Sequence, residues 1–208
     1  MNVTREDLIA CLYVKGFGKA EALSEALGAP AEAVQAALAE LVARGEAEQF
    51  RVGARLSASG KATAEHGLAQ ERASADHRRL EAEYERFSPL NADFKTLATD
   101  WQMRSTEGKL TRNDHKDEAY DAAVLVRLPD LHARTVALID DIAAHASRIG
   151  AYRRRLSDAL AKLEAGDRRY LTAPDRDSYH TVWFELHQHL INLLGLTRQQ
   201  EAAAGRAV

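Results

Sequence analysis

The side chains best suited to chemistry gather in one stretch near the C-terminal end, which reads DSYHTVWFELHQHLINLL from Asp177 to Leu194. Its apolar residues recur at helical spacing and predict an amphipathic helix, with Asp177 or Ser178 as the N-cap. Beside the apolar face runs a second stripe that contains His180, Phe184 and His187. An imidazole can give or take a proton near neutral pH. The stripe is therefore either the boundary of a core, with its imidazoles bonded to neighbours, or one wall of a polar pocket.

A second candidate is the acidic pair Asp117 and Asp121, which lies beside Tyr120 in NDHKDEAYDAAVL. The two carboxylates are one helical turn apart and share a face. They can form a solvated edge in which Asp117 stabilises the helix N-terminus. Alternatively they can hold a cationic or hydroxyl-bearing ligand, or, if buried together, raise one another's pKa for acid–base work.

Metal and cysteine chemistry are not predicted. His187 and His189 diverge by about 200° around a helix, and His180 and His187 lie roughly 10 Å apart along it. Cys11 is the only cysteine, so no internal disulfide can form, and we expect it to fill core. We predict no metal site and no cofactor, and no catalytic residue can be assigned.

Three predicted helices carry the candidate side chains: one holds Trp101, the next holds Asp117 to Asp121, and the last holds His180 to His187. Packing these helices against one another would bring the candidate side chains together. Aromatic rings with a few converging polar groups are the usual lining of a small-molecule pocket. The ligand-binding residues that we predict are Trp101, Tyr120, Asp117, Asp121, His180, Phe184 and His187.

Composition limits the class of protein. The chain has 208 residues, of which 46% are hydrophobic, 28% charged and only 6% aromatic, and its formal net charge is −3. Ala and Leu dominate, which favours helix over sheet. The charge provides no general attraction to nucleic acid or to an anionic membrane. A lone cysteine, the absence of a signal-peptide pattern and the absence of a long apolar run predict a cytoplasmic protein with no membrane partner.

The first 60 residues predict three short helices and a β-hairpin. Thr4 and Asp7 resemble a capping box, and glycines follow each of the three helical patterns. Two short strands are predicted at Ala47 to Arg51 and Ala54 to Ser57, turning near Gly53.

That order resembles the winged helix-turn-helix of the MarR family of bacterial regulators. The resemblance is carried by ALSEALGAPAEAVQAALAELVARGEAE and LSASGKA, over roughly the first 65 residues. It implies DNA binding through a recognition helix and a wing. We also predict a homodimer, because the sparse apolar positions of a polar helix from Lys61 to Arg86 leave it underpacked unless another chain covers part of it. The DNA-binding candidates are Lys15, Lys19, Gln35, Arg51 and Arg55.

Charge argues against DNA as the partner. Residues 1–57 hold six Lys or Arg and eight Asp or Glu, whereas DNA-binding modules are usually basic. The outward face of the recognition helix includes Glu32, which would face a polyanion. Gln35 alone on that face can make a bidentate base contact.

The remaining chain predicts helices throughout. A polar helix from Lys61 to Arg86 forms a connecting or dimerisation segment over 61–88, which Pro89 is expected to end. A helical ligand-binding or dimerisation domain follows over 89–196, with a polar loop from Ser105 to Asn113, and residues 197–208 are expected to form a flexible tail. The fold class is thus mainly α: a small winged helix-turn-helix domain (three helices plus a β-hairpin) followed by a helical bundle-like domain.

The tracts TDWQ, NDHKDEAYDAAVL and DSYHTVWFELH resemble an actinobacterial segment that is sometimes attached to pyruvate phosphate dikinase-type enzymes. This chain has no glycine-rich phosphate loop. Two functions remain open. One is a MarR-like transcriptional regulator whose C-terminal helical domain binds a small molecule. The alternative is an enzyme or enzyme-accessory protein that keeps the winged helix as a scaffold and acts through the Asp, Tyr and His residues of the helical pocket.

Overall fold

The computed structural model describes residues 3–106 and 108–203, and this part of the chain is mainly helical. The elements follow in the order α1 Arg5–Lys15, α2 Ala20–Leu27, α3 Ala31–Ala43, β1 Ala47–Phe50, β2 Gly53–Leu56, α4 Ala58–Ser74, α5 His77–Gln102, β3 Met103–Thr106, β4 Lys109–Arg112, α6 Glu118–Leu125, α7 Leu128–Ala143, a 3₁₀ turn Ser147–Gly150, α8 Ala151–Glu164, α9 Arg169–Thr172, α10 Tyr179–Leu194 and α11 Arg198–Ala203.

The three N-terminal helices and the β1–β2 hairpin enclose one apolar core. Thr4 Oγ1 accepts a hydrogen bond from the Asp7 backbone N–H and caps α1, as the sequence predicts. Strands β1 and β2 are antiparallel, and Gly18 adds a third strand position by exchanging backbone hydrogen bonds with Ala54 at 3.0 and 2.9 Å. The buried side chains of this core include Leu8, Leu12, Leu23, Val34, Leu38 and Leu41.

The polar helix predicted from Lys61 to Arg86 is two helices. Helix α4 ends at Ser74, and Asp76 starts α5 by accepting a hydrogen bond on its carboxylate from the Arg79 backbone N–H at 3.1 Å. An Asp that satisfies a free N–H ends one helix and begins another without any glycine or proline. The prediction of a single helix was wrong because the Asp76 cap lies inside a stretch of residues that otherwise favour helix.

The break predicted at Pro89 was also wrong. Pro89 lies inside α5, which continues to Gln102. A proline in a helix interior costs about 3 kcal/mol because it removes a backbone hydrogen bond and crowds the preceding turn. Apolar burial on both sides of Pro89 offsets that cost. The side chains that α5 buries include Leu80, Tyr84, Phe87, Leu90, Phe94, Leu97 and Trp101.

A β-hairpin occupies most of the segment that was predicted as a loop from Ser105 to Asn113. Strands β3 and β4 are antiparallel, with Met103 opposite Arg112, and Gly108 has a φ of 77° near the turn. The Asn113 backbone N–H donates to the Gln102 carbonyl at 2.8 Å and extends the pairing by one step. The hairpin ends α5 and delivers the chain to α6.

Helix α10 forms where the sequence predicts it. Ser178 Oγ accepts from the Thr181 backbone N–H at 3.3 Å, and Gly195 ends the helix with a φ of 70°. Trp183 is fully buried, stacks on Phe94 with ring centroids 4.5 Å apart, and donates its indole N–H to Asn91 Oδ1 at 2.9 Å. Helix α10 thus lies at the centre of the larger of the two apolar cores.

Part of the predicted flexible tail is a helix. Residues Arg198–Ala203 form α11, and Glu201 is buried against the Tyr84 hydroxyl, which donates to it. The remaining part of that prediction, residues 204–208, lies outside the described residues.

No single helix among residues 3–106 and 108–203 is both long and apolar enough to cross a membrane. The bent pair α2 and α3 reaches the required length and composition only when its two halves are taken together across an angle of 111°.

Candidate functional site

A buried ionic cluster joins the first helix to the C-terminal helices. It consists of Lys15 from α1, Arg155 from α8, Asp177 from the turn before α10 and Glu185 from α10, and each side chain is at most 7% exposed. Lys15 Nζ lies 2.9 Å from Asp177 Oδ1 and 2.8 Å from Glu185 Oε1. The two cations and two anions balance, which is the condition under which charges are tolerated in an interior.

Arg155 provides the strongest geometry in the ionic cluster. Its Nε and Nη2 donate to the two oxygens of Asp177 at 2.6 and 2.9 Å, and Nη2 also donates to Glu185 at 2.8 Å. This fork-to-fork arrangement is the most directional form of ion pair. The guanidinium also lies over the Tyr152 ring, 5.4 Å from its centroid.

Opposite charges outweigh burial in setting the pKa values of Asp177, Lys15 and Arg155. Burial opposes ionisation of Asp177, but hydrogen bonds from Arg155 and the nearby cations lower its pKa below the ordinary value. Burial likewise opposes the charge of Lys15, yet the Glu185 carboxylate raises its pKa. The charge of Arg155 is stabilised in the same way, and its pKa is raised well above the ordinary value. All three groups are therefore charged at neutral pH.

A cavity of about 270 Å³ opens beside the ionic cluster. Residues of α1, α2, α4, α8 and α10 contribute to its lining. Apolar side chains dominate the lining on α1, α2 and α4, whereas α8 and α10 contribute polar groups. The polar lining residues of the C-terminal helices are Arg148, Tyr152, Arg154, Arg155, Glu185, His189 and Asn192.

Polar contacts fix the far wall of the cavity. The Tyr152 hydroxyl lies 3.3 Å from both the Glu185 carbonyl oxygen and His189 Nδ1. His189 Nε2 lies 3.9 Å from the Glu71 carboxylate, which also pairs with Arg148 at 3.4 Å. Burial opposes the charge of Glu71, but His189 and Arg148 together lower its pKa. The wall therefore carries a carboxylate, a guanidinium, an imidazole and a phenol hydroxyl.

Cys11 also lines this cavity, on the α1 side. Burial raises the pKa of its thiol to about 12. A thiol with such a pKa is almost entirely protonated at neutral pH and is a poor nucleophile. The side chain therefore contributes apolar surface to the cavity.

The position of Lys15 corrects its predicted role. It was a candidate for contacting DNA phosphate, but its side chain is 6% exposed and ion-paired within the protein. Arg55 is exposed, but its Nη2 pairs with Glu48 at 2.7 Å and its guanidinium lies over the Phe50 ring.

The other three DNA-binding candidates share one surface. Lys19, Gln35 and Arg51 line an open groove between α2, α3 and the β1–β2 hairpin. The groove also contains apolar residues of α3, among them Val42, which is 37% exposed.

The seven predicted ligand-binding residues fall into two groups, and none of them lines the cavity beside the ionic cluster. The first group lies where α5, the β3–β4 hairpin and α6 meet. Tyr120 donates its hydroxyl to the Asp100 carbonyl at 2.9 Å. Asp117 caps α6 and pairs with Arg104 at 3.1 Å, whereas Asp121 is completely buried beneath His115, which lies against Trp101. The two carboxylates thus have different partners and do not interact as a pair.

The second group follows α10. His180 stacks on Phe94, two helical turns from Trp101, and burial lowers the pKa of its imidazole. His187 is 1% exposed, with Nε2 2.9 Å from the Tyr84 hydroxyl. Phe184 is 38% exposed and lies under the Arg198 guanidinium. The stripe is thus the boundary of a core in which the rings contact α5 and α11.

The sequence analysis missed the role of Arg155, His115 and Arg168. Arg155 ends the run Arg153-Arg154-Arg155, which resembles a solvated charge run. The available signal was its spacing: Tyr152, Arg155 and Leu156 lie on the buried face of α8. His115 and Arg168 lie in connecting segments, where periodicity carries no information.

Within the described ranges, no group of three or more His, Cys, Asp or Glu side chains is placed to hold a metal ion. Comparison of the chain with protein-family models, with curated proteins and with solved structures found no match.

Proposed function

We propose that this chain is a ligand-responsive transcriptional regulator, in which an N-terminal winged helix-turn-helix is coupled to a small-molecule cavity and two copies act as a dimer. The observation that carries the proposal is the position of the cavity. Residues of α1 and α2 and residues of α4, α8 and α10 all line it, so a bound molecule would contact the N-terminal helices and the C-terminal helices at once.

The N-terminal elements support a winged helix. Helices α2 and α3 cross at 111°, within the range of helix-turn-helix pairs, and the β1–β2 hairpin follows directly. The backbone pairing of Gly18 with Ala54 adds the third strand position. In this arrangement α3 is the recognition helix and β1–β2 is the wing.

Coupling between the cavity and the winged helix would pass through a small number of contacts. Lys15 ties the end of α1 to the ionic cluster, and Arg154 donates to the carbonyl oxygens of Glu25 and Ala26 at the end of α2. A ligand that shifts either contact would reorient the recognition helix.

DNA contacts in this proposal are few. Lys19 and Arg51 would contact phosphates, and Gln35 would read a base edge. With Lys15 buried and Glu32 exposed on α3, we expect weak, strongly salt-dependent binding.

Selection of bound duplexes from a randomised pool, followed by gel-shift titration, tests DNA binding. The wild-type protein should select two-fold symmetric sites, as a dimer of recognition helices requires. Lys19→Ala combined with Arg51→Ala should abolish the shift. Arg153→Ala is the matched control, because it removes an exposed cation on α8 that pairs with Asp140. Failure to enrich any sequence, or equal loss in the control, would contradict the proposal.

Blocking the cavity tests the ligand. Ala10 on α1 lines the cavity and is half-buried, whereas Ala22 on α2 is half-buried but does not line it. In a thermal-shift screen with benzoate, phenol and indole, a binder should raise the melting temperature of wild type and of Ala22→Leu. Ala10→Leu should remove that shift. A shift that survives in Ala10→Leu would place the ligand elsewhere.

The second candidate is an enzyme or enzyme-accessory protein in which the winged helix is a scaffold. One observation favours it: the group at the start of α6 joins Trp101 and Asp121 to an exposed imidazole, and such a grouping suits chemistry better than DNA binding. This candidate would be favoured if the protein bound no DNA in the gel-shift titration while the group at the start of α6 still bound or converted a small molecule.

A further inference from the structure

His115 has an unusual backbone conformation. Its φ is 57°, and it is the one non-glycine residue with a positive φ among residues 3–106 and 108–203. Asn113 supports this conformation, because its Oδ1 accepts from the His115 backbone N–H at 3.1 Å and its Nδ2 donates to the Trp101 carbonyl at 3.1 Å. Left-handed conformations of non-glycine residues persist where the surroundings hold them, often at functional sites.

A buried carboxylate fixes the imidazole. Asp121 is 0% exposed, and its Oδ1 accepts from Asn113 Nδ2 at 2.9 Å. His115 Nδ1 lies 3.2 Å from Oδ1 and 3.1 Å from Oδ2. A carboxylate can only accept, so Nδ1 carries the proton that points at Asp121.

The opposite ring nitrogen faces outward. The imidazole lies on Trp101 with ring centroids 4.4 Å apart, and the side chain is 37% exposed. His115 Nε2 makes no hydrogen bond within the described part of the chain. Asp121 and Trp101 therefore fix the direction in which Nε2 points, and neither of them forms a hydrogen bond with it.

Arg168 meets the same carboxylate from the segment before α9. Its Nη1 donates to Asp121 Oδ2 at 3.0 Å, and its side chain is 45% exposed. Nε and Nη2 of Arg168 have no acceptor among the residues that the structure describes. Two fixed groups, an imidazole and a guanidinium, thus converge on one oxygen and leave their outer nitrogens open.

We propose that His115 and Arg168 form a binding site for an oxyanion, either a carboxylate or a phosphate group of a small molecule. The guanidinium donates from its outer N–H groups, and the imidazole donates from Nε2 when the ring carries a proton on both nitrogens. In that state the two cationic groups and the Asp121 carboxylate leave a net charge of +1, which an oxyanion balances. The indole of Trp101 lies under the imidazole and limits the approach to one side. This site lies apart from the cavity beside the ionic cluster, with which it shares no residue.

Trp101 reports on occupancy because it touches the imidazole. The experiment titrates the full chain at about pH 6, near the ordinary imidazole pKa. Tryptophan fluorescence is followed with sodium phosphate in one arm and sodium succinate in the other, with sodium chloride matching the ionic strength. We expect a saturable fluorescence change that chloride does not produce. The arm with the lower half-saturation concentration identifies whether phosphate or carboxylate is preferred.

Three variants test the assignment. His115→Gln and Arg168→Gln should each weaken binding about tenfold or more, the loss of one charge-assisted hydrogen bond. Arg169→Gln is the matched control, because Arg169 is adjacent and exposed but pairs with Asp167, and it should bind as wild type does. Thermal melts of all variants verify folding, and the Nε2 resonance of His115 in an imidazole NMR spectrum should move on titration. No saturable response to either anion, an unmoved His115 resonance, or equal loss in Arg169→Gln would overturn the proposal.

Discussion

Lys15 and Glu185, which are 170 residues apart in the sequence, form a buried ion pair of 2.8 Å. The pair joins the end of α1 to the middle of α10 and is completed by Arg155 and Asp177. Because all four charges are removed from water, they depend on one another more than a surface pair does. The following experiments separate that dependence from ordinary packing.

Arg155→Met should destabilise the protein by about 3–5 kcal/mol, because it leaves two buried carboxylates with one cation. Arg153→Met on the same helix removes a pair with Asp140 that is 57% exposed on the arginine side, and it should cost no more than about 1 kcal/mol. Urea denaturation of both variants measures the difference. Equal free energies of unfolding would show that the ionic cluster contributes no more than a surface pair.

The pH dependence of stability should report on Asp177. Its pKa is lowered in the folded protein, so its stabilisation is complete above the ordinary carboxyl pKa of about 3.9 and is lost as the pH falls through the folded value. The free energy of unfolding of wild type minus that of Asp177→Asn should therefore shrink as the pH falls from about 5 to about 2. A difference that stays constant over this window would mean that the Asp177 pKa is not lowered.

Two glycines of α4 should respond in opposite directions to alanine. A Cβ on Gly60 would lie 1.9 Å from the Glu46 carbonyl oxygen, whereas one on Gly67 would meet nothing within 4 Å. Gly60→Ala should destabilise by about 2 kcal/mol or more. Gly67→Ala should stabilise by up to about 1 kcal/mol, because alanine favours the helix. Thermal melts check both, and a neutral Gly60→Ala would contradict the close approach of α4 to Glu46, the residue before β1.

Local signals account for the parts of the fold that the sequence predicts. Helix α10 has a capping serine, an apolar face with helical spacing and a terminal glycine, and all three act within a few residues. Pro89 was misread because its cost is local while the burial that offsets it involves distant helices. Strand β4 is exposed along its whole length and both strands are mostly polar, so alternation of apolar and polar residues gave no signal for the β3–β4 hairpin.

The candidate site was harder to predict for a related reason. Asp121 was identified from its spacing, but its partners His115 and Arg168 lie in irregular segments, and Arg168 reaches Asp121 from 47 residues further along the chain. Lys15 was assigned to DNA as one of the few basic residues of the winged helix-turn-helix segment. Its burial depends on carboxylates more than 160 residues away.

The three consecutive arginines of α8 have three different partners. Arg153 pairs with Asp140 on α7, Arg154 holds the carbonyl oxygens at the end of α2, and Arg155 enters the ionic cluster. Successive residues point about 100° apart around a helix, so the run fixes the rotation of α8 about its own axis. Inserting one alanine immediately before Arg153 would turn all three side chains away from their partners together, although the composition of the helix would hardly change. The order of three identical residues thus specifies an angle, and that angle aligns the N-terminal helices with the rest of the protein.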